Sequence, residues 1–524
     1  MGKTAILPDI DHCIGAARPN SHDRVWWEWS AVLLSSVATY MASTLGFDAV
    51  ADGLAVVEAD GYARLIYSSR SENRVSSLSL GAVAAPTAAP GAAVAAGAEF
   101  GADLALQQTV AQPRLFIFSS YNAPLRAAQI STTGLPGIDA VVSTSIGTLA
   151  GVTSFAVFEG GAVDIGVVAQ RGVAGLRIFQ ITDNGAMTLI GTILDGPKAY
   201  LADISDLAAI TVGTDRFLLV LSALENGITS YRIDTNGSHE LVDSLGVSDG
   251  LSVNGPAAMQ IAEIAGQQFA VIASTLSDSL SVVRINAVGA LFQTDHVIDD
   301  LNTRFADTVA LDLFVARGRV FAVTAGSDAG VSVFELLGNG KLSPYATFPL
   351  ETGAGISSVT SIETKVLGDK VAVLMVDARG DRIHHFELSL TTLGSLINAA
   401  GGTVTGTALD DRIIGSAAAE TLQGGLGNDW LHDGGGLDLL RGGAGRDVFV
   451  FDRDGQADRV ADFERGTDRL DLSDWGRIYS ASALSIVSTP TGAEIRYGTE
   501  LLYLDSVNAQ SLSAGGFSDA DFIF

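Results

Sequence analysis

Short stretches of β-forming hydrophobic residues recur along most of the chain at intervals of 50 to 52 residues. In each repeat the clearest stretch is a strand that ends in an aliphatic residue. These end residues are Leu80, Ile130, Ile181, Ile233, Ile285, Leu336 and Leu388. A second β-rich run, such as FLLVLS or FAVIAS, comes before each strand. Each repeat therefore predicts several short strands of one small sheet.

A hairpin signal completes most of the repeats. Five repeats carry a glycine four residues after the strand end, and three of these glycines follow asparagine. The glycines are Gly134, Gly185, Gly237, Gly289 and Gly340. Each unit is interpreted as three strands, a hairpin and a fourth strand. Seven such sheets cover each other's faces when packed around an axis, so the sequence predicts an all-β fold with a seven-bladed β-propeller over residues 51–399. A β-solenoid would need a shorter period, and a string of immunoglobulin-like domains a longer one.

Stretches such as FAVTAGSDAGVSVFELLGNGKL resemble the seven-bladed propellers of the lactonase, or YVTN, type. This resemblance covers the blade strands and implies a scaffold rather than a chemistry. Residues 1–50 form a lead outside the seven units. The strand that closes the ring is left open: it is either an N-terminal strand at 32–37 or the strand at 393–399.

Five consecutive nine-residue units follow the propeller between Gly406 and Val450: GTALDDRII, GSAAAETLQ, GGLGNDWLH, DGGGLDLLR and GGAGRDVFV. The third and fifth fit G-G-x-G-x-D-x-U-x throughout, where U is a large apolar residue. The glycines permit turn conformations that are closed to other residues. Two units for each coil predict a parallel β-roll over residues 400–460. The side chains expected inside it are Ile413, Leu422, Leu431, Leu440 and Phe449.

These units resemble the RTX, or haemolysin-type, calcium-binding repeat. The resemblance implies calcium ions between like turns of successive coils, bound by carboxylates and turn carbonyls. The expected carboxylate pairs are Asp411 with Asp429, Asp429 with Asp447, and Glu420 with Asp438. The expected ligand residues are Asp411, Gly425, Gly427, Asp429, Gly436, Asp438, Gly443, Gly445 and Asp447. Units one and two depart from the pattern, so the pair Asp429 and Asp447 is the firmest site, and unit two is a candidate for a capping turn without metal.

After Val450 the stretch FDRDGQADRVADFERGTDRLDLSDW resembles the segment that caps such repeats in serralysin-type secreted proteins. The matching parts are residues 458–463 and 468–472. Residues 518–524 resemble the uncleaved signal read by type I (ABC-transporter) secretion systems. We therefore expect residues 461–524 to hold a cap and a secretion signal, with the type I machinery as a partner. No N-terminal secretory signal peptide is recognised.

Charge and cysteine content limit the range of partners. The 524 residues include 59 Asp and Glu against 31 Lys and Arg, which gives a net charge of −28. Nucleic acid is not expected, because phosphate binding needs clustered basic residues. The single cysteine, Cys13, cannot form an intrachain disulfide, so a large secreted protein of this kind must get its rigidity elsewhere, for example from metal. The apolar run from Ser30 to Gly46 is shorter than the roughly 20 residues of a spanning helix, and no membrane span is expected.

The sequence contains no recognised catalytic motif. It lacks H-E-x-x-H, so the serralysin protease site is absent, and it also lacks a G-x-S-x-G elbow and a P-loop. His12 lies beside Asp9, Asp11 and Cys13, where an exposed turn is expected. Acidic residues expected in loops near the propeller channel are Glu225, Asp328, Asp377 and Asp381.

Two functions fit these patterns. The favoured one is a secreted calcium-binding protein of a Gram-negative bacterium, extracellular or on the cell surface. Its propeller would bind an extracellular ligand, a polysaccharide or a protein, and its roll would fold on calcium after type I export. The alternative is a secreted hydrolase of the lactonase type with its active site in the propeller channel.

Overall fold

The computed structural model describes residues 34–41, 51–59, 62–69, 74–80, 88–93, 102–108, 113–119, 124–131, 140–159, 163–350, 356, 358–377 and 382–524. They form two compact units that divide between residues 396 and 397. Strands make up both units, which confirms the all-β prediction. The helices of the described residues are single 3-10 turns at Val247–Asp249, Ser473–Trp475, Ala481–Ala483, Ala514–Gly516 and Asp519–Asp521. None of them is long and apolar enough to cross a membrane.

Seven four-stranded antiparallel sheets make up the first unit. Strand β1 is Leu34–Met41. The next sheets are β2 (Ala51–Ala59), β3 (Tyr62–Ser69), β4 (Arg74–Ser79) and β5 (Ala88–Ala93); β6 (Ala102–Gln108), β7 (Pro113–Ser119), β8 (Arg126–Gln129) and β9 (Ala140–Val141); and β10 (Val152–Phe158), β11 (Asp164–Gln170), β12 (Leu176–Ile181) and β13 (Met187–Ile193).

The remaining sheets of this unit follow in the same way. They are β14 (Ile204–Val212), β15 (Asp215–Ser222), β16 (Gly227–Ile233) and β17 (His239–Gly246); β18 (Pro256–Ile264), β19 (Gln267–Ser274), β20 (Ser279–Ile285) and β21 (Leu291–Ile298); β22 (Ala310–Ala316), β23 (Arg319–Ala325), β24 (Gly330–Leu336) and β25 (Leu342–Pro349); and β26 (Val359–Leu367), β27 (Lys370–Asp377) and β28 (Arg382–Ser389).

The sheets form a closed ring. The first strand of each sheet contacts the first strand of the next, and β26 contacts β2. Strand β1 pairs antiparallel with β28 and completes the last sheet in the order β1-β28-β27-β26. Of the two strands that could close the ring, the structure therefore has the N-terminal one, at Leu34–Met41. The predicted β-propeller is confirmed. Its described residues form seven hydrogen-bonded sheets, although the fold is assigned six blades rather than the predicted seven.

The middle strands of a blade are buried on both faces, which explains their weak hydrophobic alternation. Every residue of β23 and β24 is buried. The charged members of these strands are paired: Arg319 donates from Nε and an Nη to the two oxygens of Glu335, at 2.9 and 2.8 Å. Two parallel hydrogen bonds to one carboxylate leave neither buried charge uncompensated.

The Asn-Gly hairpins place blade tips against the preceding sheet. Asn236 Oδ1 accepts the N–H of Ser238 at 2.8 Å, and Gly237 has a φ of +85°. A Cβ at Gly237 would overlap the backbone of Ile190 in the preceding sheet. Glycine is needed at this position for both its backbone conformation and its small size.

Carboxylates on the first strands connect neighbouring blades. Asp206 accepts the backbone N–H of Met259 at 2.9 Å, Asp312 accepts that of Thr364 at 2.6 Å, and Glu363 accepts that of Val56 at 3.1 Å. The last of these bonds joins the last sheet to the first. Burial raises the pKa of Asp312 to about 6 and also raises the pKa of Glu363.

The second unit is a parallel roll with two sheets. Its strands are β29 (Leu393–Asn398), which spans the division between the units, β30 (Gly402–Thr405), β31 (Asp410–Ile414), β32 (Glu420–Leu426), β33 (Trp430–His432), β34 (Leu439–Ala444), β35 (Val448–Val450), β36 (Ala457–Phe463), β37 (Arg469–Asp471), β38 (Ser485–Ser488), β39 (Gly492–Tyr497), β40 (Glu500–Ser506) and β41 (Phe522–Ile523). The sheet orders are β29-β31-β33-β35-β37-β41 and β30-β32-β34-β36-β40-β39-β38.

Each coil of the roll contains two nine-residue units. Ile413 lies opposite Leu431, and Leu431 opposite Phe449, so equivalent residues are 18 positions apart. Leu422 and Leu440 form the corresponding pair in the other sheet. All five of these place-eight side chains have 0% exposure. The predicted coil of two units with an apolar residue inside each is thereby confirmed.

Residues after Val450 extend both sheets of the roll. Val460 lies opposite Leu440, and Leu470 lies opposite Phe449. The spacings are 20 and 21 residues instead of 18, so these coils contain short insertions. Phe522 near the C-terminus pairs in turn with Leu470 and is buried.

Candidate metal centre

The turns of the β-roll form two columns. One column contains the turns of units one, three and five, and the other contains those of units two and four, because equivalent positions repeat every 18 residues. The residue at place six of each turn is acidic and buried. These residues are Asp411, Glu420, Asp429, Asp438 and Asp447.

Hydrogen bonds link the acidic residues of the first column. The backbone N–H of Asp411 donates to Asp429 Oδ1 at 2.8 Å, and the N–H of Asp429 donates to Asp447 Oδ1 at 2.9 Å. The N–H of Asp447 donates to Asp468 Oδ1 at 3.1 Å. We call this chain of four residues the first ladder. Each of its inner carboxylates uses Oδ1 to accept the backbone of the coil before it.

The second column contains the same arrangement. The N–H of Glu420 donates to Asp438 Oδ1 at 2.7 Å, and that of Asp438 donates to Asp458 Oδ1 at 3.0 Å. We call this chain the second ladder. The two residues of each predicted carboxylate pair are thus neighbours in the structure. That these carboxylates and the predicted glycines bind calcium stays a prediction.

The inner aspartates have a second oxygen that no protein group reaches. Oδ2 of Asp429, Asp438 and Asp447 is buried and accepts no hydrogen bond. A buried carboxylate oxygen without a donor is costly. Three such oxygens at equivalent places of the repeat are available as donors to a cation.

The outer members of the ladders differ from the inner ones. Asp411 Oδ2 accepts the hydroxyl of Thr407 at 2.8 Å, and Asp468 Oδ2 accepts the N–H of Glu464 at 2.7 Å. Glu420 accepts the N–H of Ser416 at 2.9 Å. In these outer residues protein donors bond to the second carboxylate oxygen, whereas that oxygen accepts no hydrogen bond in the inner aspartates. Among the predicted ligands, Asp411 therefore differs from Asp429 and Asp447.

Glycines keep space open around the free oxygens. A Cβ at Gly424 would overlap Asp429 Oδ2 and the carbonyl oxygen of Gly442, and a Cβ at Gly442 would overlap Asp447 Oδ2. Carbonyl oxygens of successive coils are also close, since a Cβ at Gly443 would overlap the carbonyl of Gly425. Carboxylate and carbonyl oxygens together are the donor set that calcium prefers.

Five predicted ligand glycines have backbone angles that other residues rarely adopt. Their φ values lie between +101° and +142°. They are Gly425, Gly427, Gly436, Gly443 and Gly445. These positions hold the turns of both columns in the conformation that directs carbonyls toward the neighbouring coil.

Burial and crowding raise the pKa values of the ladder aspartates. Burial is the main cause at Asp429, and Asp447 and Asp411 add to it, so its pKa rises to about 8. Burial also raises the pKa of Asp447 to about 6 and that of Asp438 to about 6. The ionised carboxylates that a metal needs are therefore unfavourable in the metal-free fold, and a bound cation would offset that cost.

Sequence reasoning missed Asp458 and Asp468 as members of the ladders. They lie 20 and 21 residues after Asp438 and Asp447, so the insertions conceal them from an 18-residue period. The signal that could have identified them is the pair of D-x-x-x-D-F and D-x-x-D-L stretches, in which each first aspartate takes the place-six position. Burial raises the pKa of both residues to about 7.

The acidic residues predicted near the propeller channel have separate local roles. Glu225 accepts the N–H of Ala202 at 2.9 Å. Burial, with Asp299 nearby, raises the pKa of Asp328 to about 6. Asp377 is buried at the end of β27. Asp381 and the group around His12 lie outside the described residues.

One comparison with known proteins concerns the roll directly. A family model for the RTX calcium-binding nonapeptide repeat matches residues 414–449 with four copies. A crystal structure of a protein from Lactobacillus plantarum is similar with a TM-score of 0.45 and 15% identity, over 62% of this chain and 96% of that chain. No curated protein gives a significant match. Residues 414–449 are therefore RTX calcium-binding nonapeptide repeats, and calcium is the ion of the β-roll.

Proposed function

We propose that this is a secreted calcium-binding protein whose β-roll folds on calcium after type I export and whose propeller is an extracellular binding module. The observation that carries the proposal is the set of buried, unbonded oxygens on Asp429, Asp438 and Asp447. In this proposal calcium binds those carboxylates together with carbonyls of the adjacent glycine turns.

Calcium binding and folding of the roll are coupled in this proposal. The ladders exist only when successive coils are stacked, so the unfolded chain has no preformed site. Without a divalent ion the stacked carboxylates repel one another or take up protons. A calcium-poor cytosol would keep the roll unfolded and suitable for passage through a channel, and calcium outside the cell would fold it.

The position of the C-terminus supports export before folding. Phe522 is 1% exposed and extends one sheet of the roll beside Leu470. Arg469 Nε donates to the carbonyl of Ala520 at 2.7 Å. A folded roll thus covers Asp521 and Phe522, two of the residues that resemble an export signal, whereas an unfolded roll leaves all of them accessible.

An apolar rim on the propeller supports a binding role. Neighbouring strands of a blade run in opposite directions, so loops between second and third strands lie at the same end as the connections between blades. Exposed apolar side chains cluster in these segments. The rim consists of Leu194, Leu224, Val247, Leu276, Ile298 and Leu301, which are 58% to 92% exposed. Large exposed apolar side chains grouped on one surface are typical of protein interaction sites.

Calcium should protect the roll of the full chain from hydrogen exchange. With calcium at about a hundred times its dissociation constant, linkage predicts stabilisation of about 2.7 kcal/mol and roughly 100-fold slower exchange. Hydrogen-exchange mass spectrometry of peptides from 406–450 measures this effect. The double variant Asp429→Asn, Asp447→Asn should lose most of the protection, whereas Asp474→Asn, at an exposed carboxylate, should keep it. Roll peptides that are already protected in chelator would contradict the coupling.

Export should depend on the C-terminal residues and folding on the ladders. In a Gram-negative host with a type I exporter, deletion of residues 518–524 should keep the chain inside the cell. The Asp429→Asn, Asp447→Asn variant should reach the medium but remain sensitive to protease there. Immunoblots of cells and medium before and after protease measure both effects. Equal secretion of the truncated chain would show that these residues are no signal.

The stability of the calcium-free roll should fall as the pH rises. A carboxyl whose pKa is raised by folding stabilises the fold while it is protonated, below its unfolded value of about 3.9, and this contribution is lost as the pH rises through the folded value. For Asp429 the window runs from about 4 to about 8. Exchange of peptides 406–450 in calcium-free buffer, corrected for intrinsic rates, should show this slope, and Asp429→Asn should reduce it. A roll that becomes more stable toward pH 8 without calcium would refute the expectation.

The apolar rim should bind apolar surfaces without contributing to the core. The triple variant Leu224→Ser, Leu276→Ser, Leu301→Ser should change stability by no more than about 0.5 kcal/mol per residue, as exposed positions do. It should also elute several-fold earlier from immobilised phenyl groups. Val288→Ser, at a loop residue with 57% exposure outside the rim, is the matched control. Unchanged retention of the triple variant would remove this support for a binding module.

A further inference from the structure

The turn between units three and four departs from the repeat at Asp433, next to a histidine. Unit three ends in His432, and unit four begins with Asp433, where the other four units begin with glycine. Asp433 is only 1% exposed. A buried aspartate in place of a glycine is unfavourable unless it interacts with a specific partner.

Asp452 is that partner and also binds the histidine. The backbone N–H of Asp452 donates to Asp433 Oδ1 at 2.9 Å. His432 Nε2 lies 2.8 Å from Asp452 Oδ1. One donor atom from each of His432, Asp433 and Asp452 lies within 4.8 Å of the other two. Three potential ligands from two consecutive coils thus converge at one turn.

The chemistry of these donors differs from that of the ladders. The ladders offer oxygen alone, which suits calcium, whereas imidazole nitrogen suits first-row transition ions such as zinc. Zinc bonds to nitrogen and oxygen are about 2.0–2.2 Å long, so two ligands of a tetrahedral ion lie about 3.4 Å apart. The three donor atoms lie within 4.8 Å of one another, so side-chain movements of about 1 Å bring them around one ion.

We propose that His432, Asp433 and Asp452 form a second metal site, which binds a divalent transition ion of the zinc type and is separate from the calcium sites. His432 and Asp452 are 21% and 34% exposed, so an ion can enter from solvent, while buried Asp433 anchors it to the roll. Three protein ligands leave a coordination position for water. The site does not depend on the proposed export or on the role of the propeller.

The aromatic neighbour of the histidine provides a local readout. The Trp430 ring centre lies 5.8 Å from that of His432. A bound Co²⁺ ion at His432 quenches a tryptophan at this distance and adds visible absorption bands that report its coordination. Both signals arise at the site itself and are independent of any activity.

The test is a Co²⁺ titration of the calcium-saturated full chain, followed by competition with Zn²⁺. The wild type should bind one more equivalent of Co²⁺ than His432→Gln and should show saturable quenching that Zn²⁺ reverses. Asp452→Asn should lose the same equivalent, and Trp430→Phe should keep the binding but lose the quenching. His239→Gln, at an exposed histidine of the propeller, is the control and should behave as wild type.

Equal binding by wild type and His432→Gln, with no difference in quenching, would overturn the proposal. His432 is partly exposed, so its glutamine variant is expected to fold, and far-UV circular dichroism in calcium checks this. If that variant unfolds, the Asp452→Asn variant serves instead. Loss of one equivalent of bound Co²⁺ in it supports the proposed site, and retention of that equivalent overturns the proposal. Binding with an absorption spectrum identical to free aqueous Co²⁺ would also count against a built site.

Discussion

The β-roll depends on one constraint: every coil places a carboxylate of a turn directly over the same residue of the next coil. In each inner aspartate one carboxylate oxygen is hydrogen-bonded, because Oδ1 of Asp429 and of Asp447 accepts a backbone N–H. The other oxygen, Oδ2, accepts no hydrogen bond from the protein. Five inward side chains, one from each nine-residue unit, are fully buried. In the proposed function a cation binds the remaining carboxylate oxygens and thereby stabilises the stacked coils.

Asp206 of the propeller is an acidic residue whose two oxygens are both satisfied by the protein. Asp206 accepts hydrogen bonds at both oxygens, from its neighbour Leu207 at 2.8 Å and from Met259 at 2.9 Å. Its carboxylate thereby connects two blades with protein donors alone. At Asp206 protein donors thus reach both carboxylate oxygens, whereas they reach only one oxygen of Asp429 and of Asp447. Net charge by itself predicts cations as partners but cannot locate them.

Periodic features of this chain are predictable from sequence, and non-periodic ones are not. The 18-residue stacking of Ile413, Leu431 and Phe449 follows from the nine-residue pattern, because one inward position for each unit is a local property. The strand that closes the ring is not predictable in this way. Residues 32–37 and 393–399 are both short apolar stretches, and the choice depends on pairing with β28, some 350 positions from β1 along the chain.

The same limit applies to the metal centre. The sequence identifies the place-six aspartates, yet it cannot show that Thr407 occupies the second oxygen of Asp411 while that of Asp429 stays free. Insertions of two and three residues also conceal Asp458 and Asp468, which continue the ladders.

Departures from a repeat are therefore as informative as the repeat itself. Where the pattern is kept, the same hydrogen bond from a backbone N–H to an aspartate Oδ1 recurs along each column of turns. At Asp433 the glycine of the pattern is replaced, and the side chains of His432 and Asp433 both interact with Asp452. The four other units have glycine at the place of Asp433. Asp433 accepts the backbone N–H of Asp452, and His432 beside it adds a nitrogen donor that calcium does not require.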